Sequence, residues 1–242
     1  MALSRWRGFG QLALSLLAAK VLLAENPAAS RMPTWQDEIA KGLQPYHQLT
    51  VEDFPIDDKA HPESSYWIKP FIDPRWHYIY MSKDGWIYAY VDQWLIFSGL
   101  DRNESSRKSK FKEMERALAH AQAYLDLNEI FARQLAALKP GELPSARGAT
   151  PEEAGKILQQ NLKAFLEQKY KTLYAEAAEF QKVTNHGANR KKVVELGKAL
   201  RKRLDALPPI GPPSDSAVTV TPSAAPQSTA SPAKSRGLQP PG

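Results

Sequence analysis

One helical segment contains the residue types that could perform metal chemistry. Residues 118–133 read LAHAQAYLDLNEIFAR, with His120 near the start. In a helical H-E-x-x-H pattern, two histidines at i and i+4 lie one turn apart on one face and reach a single metal ion. The glutamate after the first histidine acts as general base toward the metal-bound water. A helix with this pattern supplies most of a hydrolytic zinc site.

Two of these three positions carry residues that cannot do this chemistry. Ala121 stands where the glutamate is needed and cannot accept a proton. Tyr124 stands where the second histidine is needed, and its phenol, with an ordinary pKa of about 10, is neutral and a weak zinc ligand near pH 7. We therefore assign no catalytic residue and expect the segment to be inactive as a hydrolytic site.

Composition predicts one globular domain with extensions at both ends. The chain has 242 residues, an apolar fraction of 43% and no cysteine, which excludes disulfides, a thiol nucleophile and a cysteine-type zinc site. We predict four segments: residues 1–24, a signal peptide; 25–45, an N-terminal segment; 46–207, the folded α+β domain; and 208–242, a disordered tail rich in Pro, Ser and Ala.

The two end segments indicate export. Arg5 and Arg7 precede an apolar run from Leu12 to Ala24, a pattern typical of a secretory signal peptide; a retained membrane anchor is the alternative. Residues 208–242 contain nine prolines and no aromatic residue, so they have too little apolar surface to offset the entropy of ordering. We predict a secreted or periplasmic protein, and a retained anchor would associate it with the cell envelope.

The charge pattern argues against nucleic acid as a partner. The whole chain carries +6, and removing Arg5, Arg7 and Lys20 leaves 29 basic residues against 26 acidic ones, a net charge of about +3. The densest basic stretch, residues 190–203, has apolar residues at helical spacing, which favours the solvated side of an amphipathic helix. We predict a protein or peptide partner that the sequence does not identify.

The folded domain should begin with β-structure and end with three helices. Residues 75–81 and 86–97 are aromatic and β-branched runs on either side of an Asp84-Gly85 turn, so we predict a hairpin within a three- or four-stranded antiparallel sheet. Its many aromatic residues could form a ligand platform, but packing against helices is favoured, since one face must be covered. Helices are predicted at about 109–138, from Pro151 to about 183, and from about 188 to before Pro208.

Three segments in order resemble a known family. Residues 118–129 are similar to the pattern L-x-H-E-Q-x-H-F-D-I-x-E of predicted secreted bacterial zinc-dependent proteases, domain of unknown function family 922. The segment L-T-V-E-D-F at 49–54 resembles the family's opening L-T-W-x-D-F strand, and T-N-H-G at 184–187 resembles its T-x-H-G motif. The resemblance covers about residues 46–205 and implies a zincin-like α+β fold, with the metal helix packed on a sheet and His186 as a third ligand.

The resemblance leaves two functional hypotheses. In the first, the chain has lost catalysis and zinc and binds a partner or peptide through a groove beside the former metal helix. In the second, His120 and His186 hold zinc in a non-standard hydrolase. An isolated helical histidine is by itself more often a packed polar residue, and a histidine before a helix-breaking glycine can cap carbonyl groups. Asp126 should orient a neighbouring group or face elsewhere rather than join His120 on one ion. Glu129 with Arg133 should form a surface pair.

Overall fold

The computed structural model describes residues 32–61 and 64–210, and its elements confirm an α+β fold. Within these ranges there are six strands and four helices, numbered in chain order. The strands are β1 (Leu43–Pro45), β2 (Tyr66–Trp67), β3 (Pro70–Lys83), β4 (Trp86–Asp101), β5 (Ser106–Arg107) and β6 (Ser145–Gly148). The helices are α1 (Trp35–Ile39), α2 (Met114–Ala136), α3 (Pro151–Thr184) and α4 (Arg190–Asp205).

A long antiparallel hairpin of β3 and β4 forms the centre of the fold, which confirms the hairpin prediction. Asp84 and Gly85 connect the strands with φ of 51° and 76°. Both residues thus adopt the left-handed conformation that a two-residue hairpin turn requires, and the Asp-Gly sequence supplies it. The pairing register shifts between His77 and Tyr78, which lie opposite Gln93 and Val91, so Asp92 of β4 is the extra residue of a β-bulge.

Two short strands complete a four-stranded antiparallel sheet along β4. β1 pairs with its last residues, Leu43 opposite Asp101, and β6 pairs with its first half, Ala146 opposite Ala89. The β1 pairing places residues 43–45, which precede the predicted domain, in its sheet. β2 and β5 form a separate two-stranded ribbon.

Helices α2, α3 and α4 pack on one face of the sheet, and α1 contacts the other. Ile96, buried on β4, packs with Leu127 and Ile130 of α2 and with Phe180 of α3 in the largest core cluster. Phe97, the next residue along β4, points to the other face, where the ring of Trp35 in α1 meets it edge to face at 5.0 Å. α2 thus packs on the sheet, as the family resemblance implies.

The caps of α3 agree with the sequence prediction. Thr150 accepts a hydrogen bond from the backbone N–H of Glu153, and Pro151 occupies the first helical position. The helix ends at Asn185, which adopts a left-handed conformation with φ of 48°. Thr184 stays helical, so α3 runs one residue past its predicted end.

Two local predictions are wrong. α2 begins at Met114 rather than near residue 109, because Asp58 accepts hydrogen bonds from the Ser109 backbone and hydroxyl, both at 2.8 Å, and holds that residue in a loop. The 49–54 segment is a 3₁₀ turn over Val51–Asp53 and not a strand. Asp53 accepts a 2.6 Å hydrogen bond from the Thr50 backbone, so Thr and Asp three residues apart form a capping box.

The hairpin aromatics pack largely as predicted. Trp76 and Trp94 stack at 6.1 Å, and both lie against the helix-facing core with the buried Tyr78. Tyr88 and Tyr90 project from the opposite face and stack on each other at 6.2 Å. The core therefore takes one aromatic set, and the second set remains half-buried on the outer face.

Other predictions lie beyond the described residues. The signal peptide at 1–24 and nearly all of the tail at 208–242 fall outside the described ranges. Among the residues that are described, no helix has both the length and the apolar character needed to span a bilayer.

Candidate functional site

His120 is the centre of the candidate site, and α2 points it toward the connection between α3 and α4. The residue is 6% exposed. Its ring stacks on Phe180 near the end of α3, with centroids 5.3 Å apart. On the other side, the Tyr66 hydroxyl of β2 forms a 2.7 Å hydrogen bond with His120 Nδ1, in which the imidazole tautomer decides which group donates. The imidazole is thus enclosed between an aromatic ring and a phenol.

This enclosure keeps His120 neutral. Burial, assisted by the nearby His186, lowers the pKa of His120 to about 4, and interaction with Gln181 only partly opposes the shift. Tyr66 is also held neutral, because burial raises the pKa of its phenol above the ordinary range. Both partners of the hydrogen bond are therefore uncharged near pH 7.

The T-N-H-G segment forms the connection that faces His120. Thr184 is fully buried, and its hydroxyl donates to the Phe180 carbonyl at 2.8 Å. His186 has φ of 51°, and its backbone N–H donates to the Gln181 carbonyl at 2.8 Å, capping the end of α3. The backbone of His186, rather than its ring, performs the capping role considered from sequence.

The position of Gly187 in the T-N-H-G segment requires a glycine. It has φ of +85°, and an added Cβ would lie 2.9 Å from His120 Cγ and 3.2 Å from Nδ1 and Cδ2. Any side chain there would meet the imidazole and would also strain the backbone. Gly187 makes this close approach to His120, which lies 67 positions earlier in the chain.

The two predicted metal ligands do come together at one small cavity. His120 and His186 both line a space of about 10 Å³, with Tyr66, Phe111 and Arg116 among the other walls. Within the described residues, His120 Nε2, His186 Nδ1 and Gln181 Oε1 are buried without a well-aligned hydrogen-bond partner. The volume is about that needed for one water molecule.

The donor set fits a zinc ion poorly. Protein zinc sites supply three or four nitrogen, sulfur or oxygen ligands, whereas this cavity offers the two imidazoles. In the described ranges, no group of three or more His, Cys, Asp or Glu residues has a metal-binding arrangement. His120 Nδ1 is already occupied by Tyr66, so only Nε2 would remain for a metal.

The two substituted positions are part of the packing. Ala121 has no exposed surface and lies in a cluster with Leu49, Phe54 and Leu100. Tyr124 stacks beside His120 on the same Phe180 ring, with centroids 6.4 Å apart. The position that a second histidine would occupy is therefore filled by an aromatic contact.

Gln122 and Asp126 hold the incoming chain against α2. Gln122 accepts a 2.7 Å hydrogen bond from the Leu49 backbone and donates at 2.7 Å to Asp126. Asp126 also accepts from the Tyr46 hydroxyl at 2.6 Å and faces Arg201 of α4 at 3.5 Å. This confirms that Asp126 does not join His120, and it gives both family-like residues a structural role.

Glu129 and Arg133 form a buried pair, so the prediction of a surface pair is wrong. They are 2% and 9% exposed, and Arg133 Nε donates to Glu129 at 2.8 Å. Glu129 also accepts from the Ser98 hydroxyl of β4, and Arg133 donates to the Leu207 carbonyl at 3.0 Å. The sheet strand and the chain after α4 cover the pair, which helical spacing alone does not reveal.

An open groove runs along the other side of α2. It has a volume of about 430 Å³ and lies between α2, α4 and the 48–49 segment. Its small residues are Ala119, Ala123 and Gly197, and an added Cβ on Gly197 would lie 3.7 Å from Ala123 Cβ. Its larger lining residues are Gln48, Leu49, Glu115, Leu118, Gln122, Asp126, Val193, Val194, Lys198 and Arg201.

Sequence reasoning missed the residues that enclose His120. Tyr66, Phe180 and Gln181 come from other elements, and Tyr66 lies 54 positions before its partner. Nothing in the spacing of Tyr66 marks it as a partner of a helical histidine. Phe180 and Gln181 had one signal, since they lie in the turn that precedes the T-N-H-G segment.

Comparisons with known proteins identify no relative of this chain. No protein-family model matches the chain, and searches of curated proteins and of solved structures find no significant match.

Proposed function

We propose that this chain is a secreted, non-catalytic relative of the zinc-dependent proteases it resembles, and that it binds a peptide segment of a partner in the α2–α4 groove. One contrast carries the proposal. The space at His120 is about 10 Å³, room for about one water molecule, whereas the groove on the other side of α2 is about 430 Å³ and more open. A peptide side chain fits the second space and not the first.

The chemistry of the two sites supports the same proposal. A hydrolytic site needs a base placed to activate water, and neither Ala121 nor Tyr124 can serve as one near pH 7. Burial raises the pKa of Tyr124 further, so its phenol stays protonated. The groove instead combines apolar side chains with a few charged ones, the composition typical of a peptide-binding surface.

The first test is a peptide selection on the full chain. Peptides displayed on phage are selected for binding, and the selected peptides are measured against two variants. Ala119→Trp places an indole in the groove at an exposed position. Ala199→Trp places the same indole on an exposed position of α4 outside the groove and is the matched control.

The expected result is a selected peptide whose binding Ala119→Trp abolishes and Ala199→Trp preserves. Selection of no peptide, or equal binding by both variants, contradicts the groove. The same full chain is incubated with casein with and without added zinc. Zinc-dependent cleavage that is lost in His120→Ala contradicts the non-catalytic part of the proposal.

A second candidate function, a metal-dependent hydrolase with a non-standard site, is favoured by one observation. His120 Nε2 and His186 Nδ1 are both buried, unpartnered within the described residues and at the same cavity. The two nitrogens alone would hold zinc weakly. Zinc binding by the full chain that both His120→Ala and His186→Ala remove would favour this candidate.

A further inference from the structure

The helix α4, which forms one wall of the groove, is rich in basic residues. The sequence of α4 has Arg or Lys at seven positions and Asp or Glu at two. From the sequence, we predict that these cations lie on the solvated side of an amphipathic helix. Val193, Leu200 and Leu204 are buried on the opposite side of α4. The ion pairs of the helix decide which of the cations remain for a ligand.

Several of the cations already have partners. Arg201 donates to the Tyr46 hydroxyl at 2.9 Å and faces Asp126. Arg203 pairs with Glu176 of α3, and Lys192 with Glu195 at 2.9 Å. These contacts tie α4 to the rest of the domain or to its own next turn.

Three lysines form a separate row. Lys191, Lys198 and Lys202 are exposed, and none of them has an ion-pair partner in the part of the chain that the structure describes. Their spacing of seven and four residues places them on one helix face. Lys198 also lines the groove, so the row runs along its border.

The apolar part of the groove lies next to this row. Val194 is 45% exposed, and with Leu118 and the small Ala119 it offers apolar surface inside the groove. The small side chains let a ligand approach the helix backbones closely. A partner that buries an apolar face here therefore brings its flanking residues against the lysines.

We infer that the groove takes an acidic, amphipathic peptide segment, whose apolar side chains enter the groove and whose carboxylates face Lys191, Lys198 and Lys202. This inference rests on the proposed function and specifies its ligand. The concave shape favours a peptide over a flat lipid surface.

The test uses the full chain and a fluorescein-labelled peptide in which leucine and glutamate recur at helical spacing. The same peptide with lysine in place of every glutamate is the charge control. Binding is measured by fluorescence anisotropy at low and high salt, for the wild type and for Lys198→Glu/Lys202→Glu. Lys163→Glu, an exposed lysine on α3, is the control for a change of net charge.

The acidic peptide should bind, and the lysine peptide should not. Lys198→Glu/Lys202→Glu should weaken binding by about tenfold, the size expected for reversing two exposed charges. High salt should weaken wild-type binding, and Lys163→Glu should leave it unchanged. Equal binding of both peptides, or no effect of the double reversal, overturns the inference.

Two further outcomes separate this inference from the proposed function. In the first outcome, Ala119→Trp abolishes binding of the phage-selected peptides, but Lys198→Glu/Lys202→Glu does not change it. The groove would then still be the peptide site, and only the inference of an acidic ligand would be overturned. In the second outcome, the chain binds vesicles that contain phosphatidylglycerol more tightly than vesicles of phosphatidylcholine alone, and Ala119→Trp keeps this preference. The ligand would then be a membrane surface and not a peptide, which also overturns the inference.

Discussion

Replacing Gly187 by alanine tests the contact between the T-N-H-G segment and His120. The glycine has φ of +85°, and an alanine Cβ would lie 2.9 Å from His120 Cγ. The left-handed backbone costs an alanine about 1–2 kcal/mol, and the crowded contact adds about 1–3 kcal/mol. We predict that Gly187→Ala lowers the free energy of unfolding by about 2–5 kcal/mol, measured by urea denaturation of the full chain.

Gly141→Ala is the matched control. An added Cβ at Gly141 meets no other atom within 4 Å, and its φ is not in the left-handed region. This substitution should leave stability unchanged or raise it by up to about 1 kcal/mol. If Gly187→Ala lowers the free energy of unfolding no more than Gly141→Ala does, Gly187 does not closely approach His120.

A double-mutant cycle separates the two causes. In a His120→Ala background the imidazole atoms are absent, so Gly187→Ala should cost only the backbone part, about 1–2 kcal/mol. An equal cost in both backgrounds would mean that the imidazole does not lie against Gly187. The backbone strain would then be the whole effect.

Three further predictions concern α2. Glu129→Ala should lower the free energy of unfolding by about 3–5 kcal/mol, because it leaves the Arg133 charge buried without its partner. Glu195→Ala, on the surface of α4, is the control and should change the free energy of unfolding little. Similar losses for both variants in urea denaturation contradict the buried pair. The pKa of His120, about 4 in the folded protein, lies below the ordinary value of about 6.5, so the unfolded chain binds the proton first. The stability advantage of the wild type over His120→Ala should thus shrink by about 3 kcal/mol between about pH 7 and pH 4, and a constant difference contradicts the burial. Ala121→Glu should destabilise the domain by several kcal/mol, about 2–7, without producing zinc-dependent peptidase activity; a stable, active variant shows that the position can still serve as a base.

The elements that the sequence predicts well are those with local causes. The Asp84-Gly85 turn fixes the hairpin, and the Thr150 cap with Pro151 fixes the start of α3. These signals act within a few residues and need no knowledge of the remaining chain. The sequence also predicts that helices must cover one face of the sheet, but it does not predict that β1 and β6 both pair with β4.

The predictions that fail depend on contacts between distant residues. The start of α2 is set by Asp58, which binds Ser109 from 51 positions away. Glu129 and Arg133 are spaced as a surface pair, but Ser98 and the end of α4 cover them. Helical spacing reports neighbours on one helix and does not report what packs over them.

The candidate site was predictable in part from sequence motifs, but it also depends on contacts between distant residues. The resemblance identifies His120 and His186 as related residues, and the structure places them at one cavity. It does not reveal Tyr66, whose hydroxyl occupies His120 Nδ1, or Phe180, which carries both His120 and Tyr124. These neighbours favour a structural role for the histidine over a ligand role.

Zinc content is the most direct measurement of the central claim that His120 is a packed structural residue in a non-catalytic protein. The full chain is loaded with zinc, passed through a desalting column and measured by mass spectrometry, beside His120→Ala and His186→Ala. We expect substoichiometric zinc, in the same amount in all three proteins. One zinc ion per wild-type chain that both substitutions remove would contradict it.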